Sequence, residues 1–216
     1  VAGKHYHNFE RCVNFSTVYE AALQAASPKV YESAGAGQSS LDPTNRSVLL
    51  LYDDKKVFIG HSIYISGCLV FMTHFRYPTF YRVPLHPEFY TIPTVMVMED
   101  GELSVIRMPL VGVTSMRLSN VSSTPKSGSK CYLRHYIGGQ DTQLRTDSCD
   151  VGIKLPDETT FVYSVDTQPG CCGAAVVQDN KVVGLHCYGF GNGKNGFVSF
   201  GPKILKFFRG PLENRG

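Results

Sequence analysis

The sequence predicts an all-β protein: two antiparallel six-stranded β-barrels with short N- and C-terminal helices. Three observations carry this. Between Ser47 and Phe200 the apolar residues come in short runs rich in Val, Ile, Phe and Tyr, each closed by Gly, Pro or Asp, the mark of strands and turns. The runs fall into two series separated by a polar connector, LSNVSSTPKSGSK. No glycine-rich loop follows a strand and opens a helix, which removes the nucleotide-binding α/β folds.

Phe9, Val13, Val18, Ala22 and Leu23 recur near helical spacing and predict an N-terminal helix over 9–26. It is interrupted near Asn14–Ser16, with Ser16 or Thr17 as the cap of its second part. A Ser-, Gly- and Pro-rich loop follows. SVLLLY, a turn at Asp53–Asp54 and KVFIGHSIYIS read as a hairpin, and CLVFMTHF, TFYRVP, TVMVMED and ELSVIRMP complete the first series. The second series is CYLRHYIG, DVGIKLP, TFVYSVD, AAVVQ, KVVGLHCYG and GFVSF. GPKILKFF closes the chain as a short helix with Pro202 in its first turn. The expected organisation is a helix and loop over 1–45, a first barrel over 46–110, a linker over 111–130, and a second barrel with the final helix over 131–208.

The net charge of +3 permits an anionic partner without requiring one. Lys and Arg are scattered rather than gathered into an arm. No apolar run reaches membrane-spanning length, and the N-terminus lacks a signal-peptide pattern. A chain that opens on Val fits release from a longer precursor or removal of a tag. Seven cysteines at irregular spacing are an odd count, which points to thiols in a reducing compartment.

The stretch TQPGCCGAAVV, residues 167–177, is the chemical focus. A metal clip, a disulfide, a packed turn and a nucleophile all suit two cysteines fenced by glycines. A nucleophilic cysteine needs a base or an ion-pair partner, and N–H groups aimed at the oxyanion. Gly170-Cys171-Cys172-Gly173 supplies a bare backbone if Cys172 attacks, with N–H donors from Gly170, Cys171 and Cys172, since Pro169 has none. His74 ends an apolar strand, where an imidazole would reach a cleft between barrels; the bland alternative is a surface loop histidine. Glu102 opens ELSVIRMP and could fix the tautomer of His74, with Asp100, two positions away, as the alternative acid. A zinc site on Cys171, Cys172, His186 and Cys187 is disfavoured, because adjacent cysteines do not readily ligate one tetrahedral ion.

Histidine, acid and nucleophile in that chain order is the chymotrypsin order. Together with PGCCGA, VVGLHCYGFGNGKNGFVSF, FMTH and ELSVIRMP, it makes the sequence resemble the picornavirus main (3C-type) cysteine proteases and their relatives in picorna-like viruses. Ala174 stands where that family has a second glycine, and the connector lacks the family's basic segment. The resemblance implies a chymotrypsin-like viral cysteine endopeptidase with a Cys172–His74–Glu102 triad and a thioester intermediate. It would cut polyprotein after Gln, with Glu as a second choice. Thr167, five positions before Cys172, and His186, fourteen after it, would line the pocket for that side chain. A neutral imidazole and a hydroxyl can bond a carboxamide without attracting a carboxylate. Cys187, Tyr188 and Gly189 would pair with an extended substrate. The expected partners are the viral polyprotein and host protein substrates, in the host cell cytoplasm, with no cofactor, metal or membrane span. An RNA-binding module of the same fold is the competing reading.

Overall fold

The computed structural model describes residues 11–12, 39–41, 47–75, 78–93, 98–147, 151–154, 159–165, 167, 170–191 and 194–213. At the N-terminal end it shows two short strands, β1 (Arg11–Cys12) and β2 (Ser39–Leu41). Arg11 and Cys12 are therefore extended, not helical as their neighbours' spacing predicts. Their backbone is paired to a strand of the second sheet, so a sheet edge satisfies groups that a helix would otherwise bond internally. The rest of the expected 9–26 helix lies outside the described residues.

The first sheet comprises β3 (Val48–Tyr52), β4 (Phe58–Ile65), β5 (Cys68–Met72), β6 (Phe80–Arg82), β7 (Phe89–Thr91), β8 (Met98–Asp100) and β9 (Leu103–Arg107). Its order is β7-β6-β3-β4-β5-β9-β8, antiparallel throughout. Every residue of β3 is buried. Leu49 and Leu51 enter the main core, whereas Val48, Leu50 and Tyr52 pack with Tyr136 on the other face. That is the two-residue alternation of a strand covered on both sides. Each such leucine contributes about 2–3 kcal/mol of burial. Of the TVMVMED run, only Met98–Asp100 is described as strand; 94–97 lies outside.

The second sheet holds β10 (Tyr132–Tyr136), β11 (Gln143–Asp147), β12 (Val151–Lys154), β13 (Thr160–Ser164), β14 (Ala175–Gln178), β15 (Lys181–Gly191) and β16 (Lys194–Ser199). The order is β12-β13-β16-β15-β14-β10-β11-β2, with β1 parallel to β15. The two-layer antiparallel architecture is the one expected, but the strand counts differ. Seven and nine strands replace six and six, and among the described residues each pairing path is open-ended rather than closed. The additional strands are β7, β11 and the two N-terminal ones.

Helix α1 (Pro202–Glu213) begins at Pro202 as expected. Ile204 and Phe208, four residues apart on one face, are buried in the main core. Gly210, at φ +59, interrupts the regular helix. That core also contains Cys172, Ala175, Leu185 and Cys187 of the second sheet, so the two layers share it. Arg82 adds a polar clamp between them: its guanidinium donates to Asp141 Oδ1 and to Gly139 O, each at 2.8 Å, and to Tyr52 Oη at 3.0 Å.

Candidate active site

The turn before β14 sends its two cysteines in opposite directions. Cys171 packs in the second core beside Cys131, Leu133, Phe161 and Tyr163. Cys172 joins the main core at the junction of the sheets, with Cys187. Gly170 at φ +91 and Gly173 at φ +85 make that reversal possible. Gly173 is also needed for space, because a Cβ there would run into the backbone carbonyl of His61 on β4. A Cβ at Gly60 would lie 2.7 Å from Cys172 O, and His61 N–H donates to that same oxygen at 2.8 Å. The first sheet thus presses directly on the turn that carries Cys172.

His74 lies in the short 3-10 turn Thr73–Phe75 that follows β5. Its Nε2 is 3.2 Å from Cys172 Sγ, and its Nδ1 is 3.7 Å from Glu102 Oε2. The first is a sulfur hydrogen-bond distance. The second is an ion-pair distance, longer than a hydrogen bond, as is common before substrate closes a site. The side chains of His74 and Glu102 are 13% and 21% exposed, while the two atoms that face each other, Nδ1 and Oε2, are buried. Thr73 fixes their relation: its N–H donates to Glu102 O at 2.8 Å and its hydroxyl to Gly101 O at 3.0 Å. Asp100 points elsewhere, toward Gly201. Of the two candidate acids, it is Glu102 that faces the imidazole.

Burial by itself pushes the Cys172 thiol up. The neighbouring Cys187 side chain, the charge of His74 and the His74 hydrogen bond outweigh it and hold the thiol well below its ordinary value. The result favours the thiolate, the form in which cysteine attacks.

Gly173 N–H is committed to His186 O at 2.8 Å and Ala174 N–H to Cys171 O at 3.0 Å. Neither can serve an oxyanion, and the expected donors, Gly170, Cys171 and Cys172, lie just before them. His186 is buried, and its Nδ1 is 2.6 Å from Tyr163 Oη. Thr167 donates its hydroxyl to Asn195 Oδ1 at 3.4 Å, and Asn195 stands opposite Gly189 in the β15–β16 ladder. At Tyr188 and Gly189, β1 occupies one edge of β15.

Four participants had no sequence signal that separated them from core residues. Tyr163 sits in an apolar run. His61 and His135 are buried, pulled down to about 3 and about 4, chiefly by burial. His61 Nε2 accepts from Tyr136 N–H at 2.8 Å. Asn195, hidden in a glycine-rich hairpin, donates to Val165 O at 2.6 Å.

The zinc set considered from sequence is not assembled, since Cys171 faces the other core. A different trio, His74, Glu102 and Cys187, brings a nitrogen, an oxygen and a sulfur within 4.8 Å of one another. A soft divalent cation suits those donors but would tie up the His74 ring. Among the described residues no helix is long and apolar enough to cross a membrane.

The family model of the 3C cysteine proteases (picornain 3C) matches residues 153–193, the stretch containing Thr167, Cys172 and His186. A sequence search of curated proteins finds no match. In structure, the chain is similar to tobacco etch virus protease in complex with product, at TM-score 0.61 and 17% identity, covering 82% of each chain. It is similar to the serine protease domain of the Sesbania mosaic virus polyprotein, at TM-score 0.60 and 15% identity, over 74% of this chain and 93% of that one. It also resembles the rhinovirus C 3C protein with rupintrivir, at TM-score 0.54 and 14% identity, over 76% and 94%. The two-sheet fold is therefore chymotrypsin-like, and the family match covers PGCCGA and most of VVGLHCYGFGNGKNGFVSF, whereas FMTH and ELSVIRMP lie outside it.

Proposed function

We propose that the protein is a viral polyprotein-processing cysteine endopeptidase that cuts after Gln and, less readily, Glu. The observation that carries the reading is Cys172 Sγ at 3.2 Å from His74 Nε2, with Glu102 on the far side of the ring. His74 takes the thiol proton as Cys172 attacks the scissile carbonyl and returns it to the leaving amine. Glu102 keeps the imidazole turned and stabilises its cationic form. The oxyanion sits against the N–H groups of Gly170 to Cys172. Water then hydrolyses the thioester, with His74 again as base.

His186 is the specificity residue. With Tyr163 donating to Nδ1, Nε2–H faces the carboxamide oxygen of the substrate side chain, and Thr167 supplies a hydroxyl beside it. An extended substrate takes the edge of β15 at Cys187 to Gly189, displacing β1 from Tyr188 and Gly189. The substrates are the viral polyprotein and host proteins, met in the host cytoplasm after release of the protease. Among the described residues the RNA-binding alternative has no comparable observation in its favour, and Arg145 on β11 is paired with Asp147 at 3.0 Å.

The test is a peptide panel differing only in the residue before the cut, Gln, Glu, Ala or Arg, with and without a thiol alkylator. Cleavage of the Gln peptide, weaker cleavage of the Glu peptide and loss on alkylation are expected. No cleavage of any peptide, or activity that survives alkylation, would sink the proposal.

A further inference from the structure

Two sulfurs share the imidazole of His74. Cys172 Sγ is 3.2 Å from Nε2, and Cys187 Sγ lies within 4.8 Å of a His74 ring nitrogen and of a Glu102 oxygen. The backbone holds the two cysteines side by side. Gly173 N–H bonds His186 O and His186 N–H bonds Ala174 O, both at 2.8 Å, so Cys172 and Cys187 each flank that cross-strand pair. Cys172 Sγ is 3.8 Å from Cys187 O. Both residues are fully buried in one cluster, and Cys68, Cys131, Cys171, Cys172 and Cys187 are thiols rather than disulfides.

A strand position beneath a base normally asks only for a small apolar side chain. Val or Ala would fill it, whereas a sulfur there adds a second thiol beside the reactive one. Cys171 cannot substitute, because it faces the other core.

We propose that Cys187 is a resolving thiol for Cys172, making the site a reversible oxidation site for hydrogen peroxide. This rests on the reading of Cys172 as the reactive thiolate. The Cys172 thiolate attacks one peroxide oxygen: an S–O bond forms, the O–O bond breaks, and the departing hydroxide takes the proton held by His74 and leaves as water. Cys187 then attacks the sulfenic sulfur. An S–S bond forms, the S–O bond breaks, and the hydroxide released takes the Cys187 proton as a second water. Two thiols are oxidised to one disulfide and one peroxide is reduced to two waters. The disulfide removes the nucleophile, yet it keeps that sulfur off the irreversible sulfinic rung. A cellular dithiol restores both cysteines by exchange. The low thiol value of Cys172 favours the first step.

The experiment treats the full chain with a small excess of peroxide in the presence of a chelator, then with dithiothreitol. Trypsin releases Cys171 and Cys172 together in peptide 155–181 and Cys187 in peptide 182–194. The expected product is those two peptides joined, about 2 Da lighter than their sum. The link should persist in Cys171→Ser and vanish in Cys172→Ala. Activity of the native chain should return with dithiothreitol. In Cys187→Val and Cys187→Ser, each measured against its own untreated activity, most of the loss should become permanent, with Cys172 about 32 Da heavier as the sulfinic acid. No joined peptide, a link that depends on Cys171, or equal recovery with and without Cys187 would each overturn the proposal. Full peptidase activity in Cys172→Ala would instead overturn the reading of the active site, which the peptide map reports independently.

Discussion

Lowering the pH from 7.5 to 5.0 should remove about 4 kcal/mol of folding stability, and two buried histidines set that figure. His61 and His135 are nearly inaccessible in the fold. Burial, reinforced for His61 by nearby His135 and for His135 by nearby His186, pulls them down to about 3 and about 4. Both thus stay neutral in the folded chain at pH 5. In the unfolded chain both titrate near 6.5. Between those values the unfolded state binds more protons, so stability falls as pH falls. For a histidine that remains neutral when folded, the loss at pH 5 depends only on the unfolded value. It is about 2 kcal/mol per residue, and hardly anything at pH 7.5. Carboxylates titrate mainly below this window, which leaves it to the histidines. Urea unfolding followed by far-ultraviolet dichroism at the two pH values measures the change. His135→Gln, which keeps a polar atom near Thr146 Oγ1, 3.1 Å from the ring, should reduce the pH-dependent loss by about half. Stability that is the same within about 1 kcal/mol at both values would refute the reasoning, for it would mean that one or both rings are charged or solvated in the fold.

Four further outcomes follow from the geometry. Cys172→Ala should abolish cleavage of a Gln peptide while Cys171→Ala leaves most of it, the reverse pattern exchanging the two assignments. Gly173→Ala should destabilise the chain by about 2–5 kcal/mol and remove activity, because the left-handed backbone and the clash with His61 O act together; a folded, active variant in urea titration and peptidase assay would disprove the close approach. Tyr163→Phe removes the hydroxyl 2.6 Å from His186 Nδ1. It should lower kcat/KM for the Gln peptide about five- to tenfold, with a narrower preference over Glu, and an unchanged ratio would argue against tautomer control. Arg82→Met should cost about 2–3 kcal/mol in urea unfolding, less than for a wholly buried pair because Asp141 is 44% exposed; a change within about 0.5 kcal/mol would show that the clamp is not a stabilising contact.

The apolar strands were legible because their alternation and their turn residues are local. VLLLY, FIGHSIYI and CLVFM declare themselves in a few letters each. β11 does not, because its fully buried side chains are Gln143 and Thr146. A strand with a polar buried face carries no apolar alternation for the sequence to show. Arg11 and Cys12 fail in the opposite way: their neighbours have helical spacing, yet a tertiary pairing with β15 sets their conformation. For the site, Cys172, His74 and Glu102 were grouped by order and spacing, and the fold brings them within 3.2 and 3.7 Å. Tyr163 and His61 were not grouped, since their roles depend on which partner lies across a sheet. Linear distance carries no record of that.

The junction between the sheets explains why the two cysteines of one turn have different chemistry. Cys171 and Cys172 differ by one position, and the glycines on either side aim them into different cores. The orientation is held from outside the turn, by His61 N–H on Cys172 O and by strand β4 lying where a side chain at residue 173 would be. His74 and Glu102 come from that same first sheet, through β5 and β9. The sheet that supplies His74 therefore also holds the backbone of Cys172 in place. A displacement of the second sheet would lengthen the Cys172–His74 contact and release the turn in one movement. It follows that the site cannot be assembled in part: Cys187 and His186, which lower the Cys172 thiol against burial, lie on its own sheet, but His74, which lowers it as well, comes from the other. The contact between Cys172 and His74 is a property of the docked pair, which is why Gly173 and the buried His61, packed between the sheets, are expected to matter to the proposed activity.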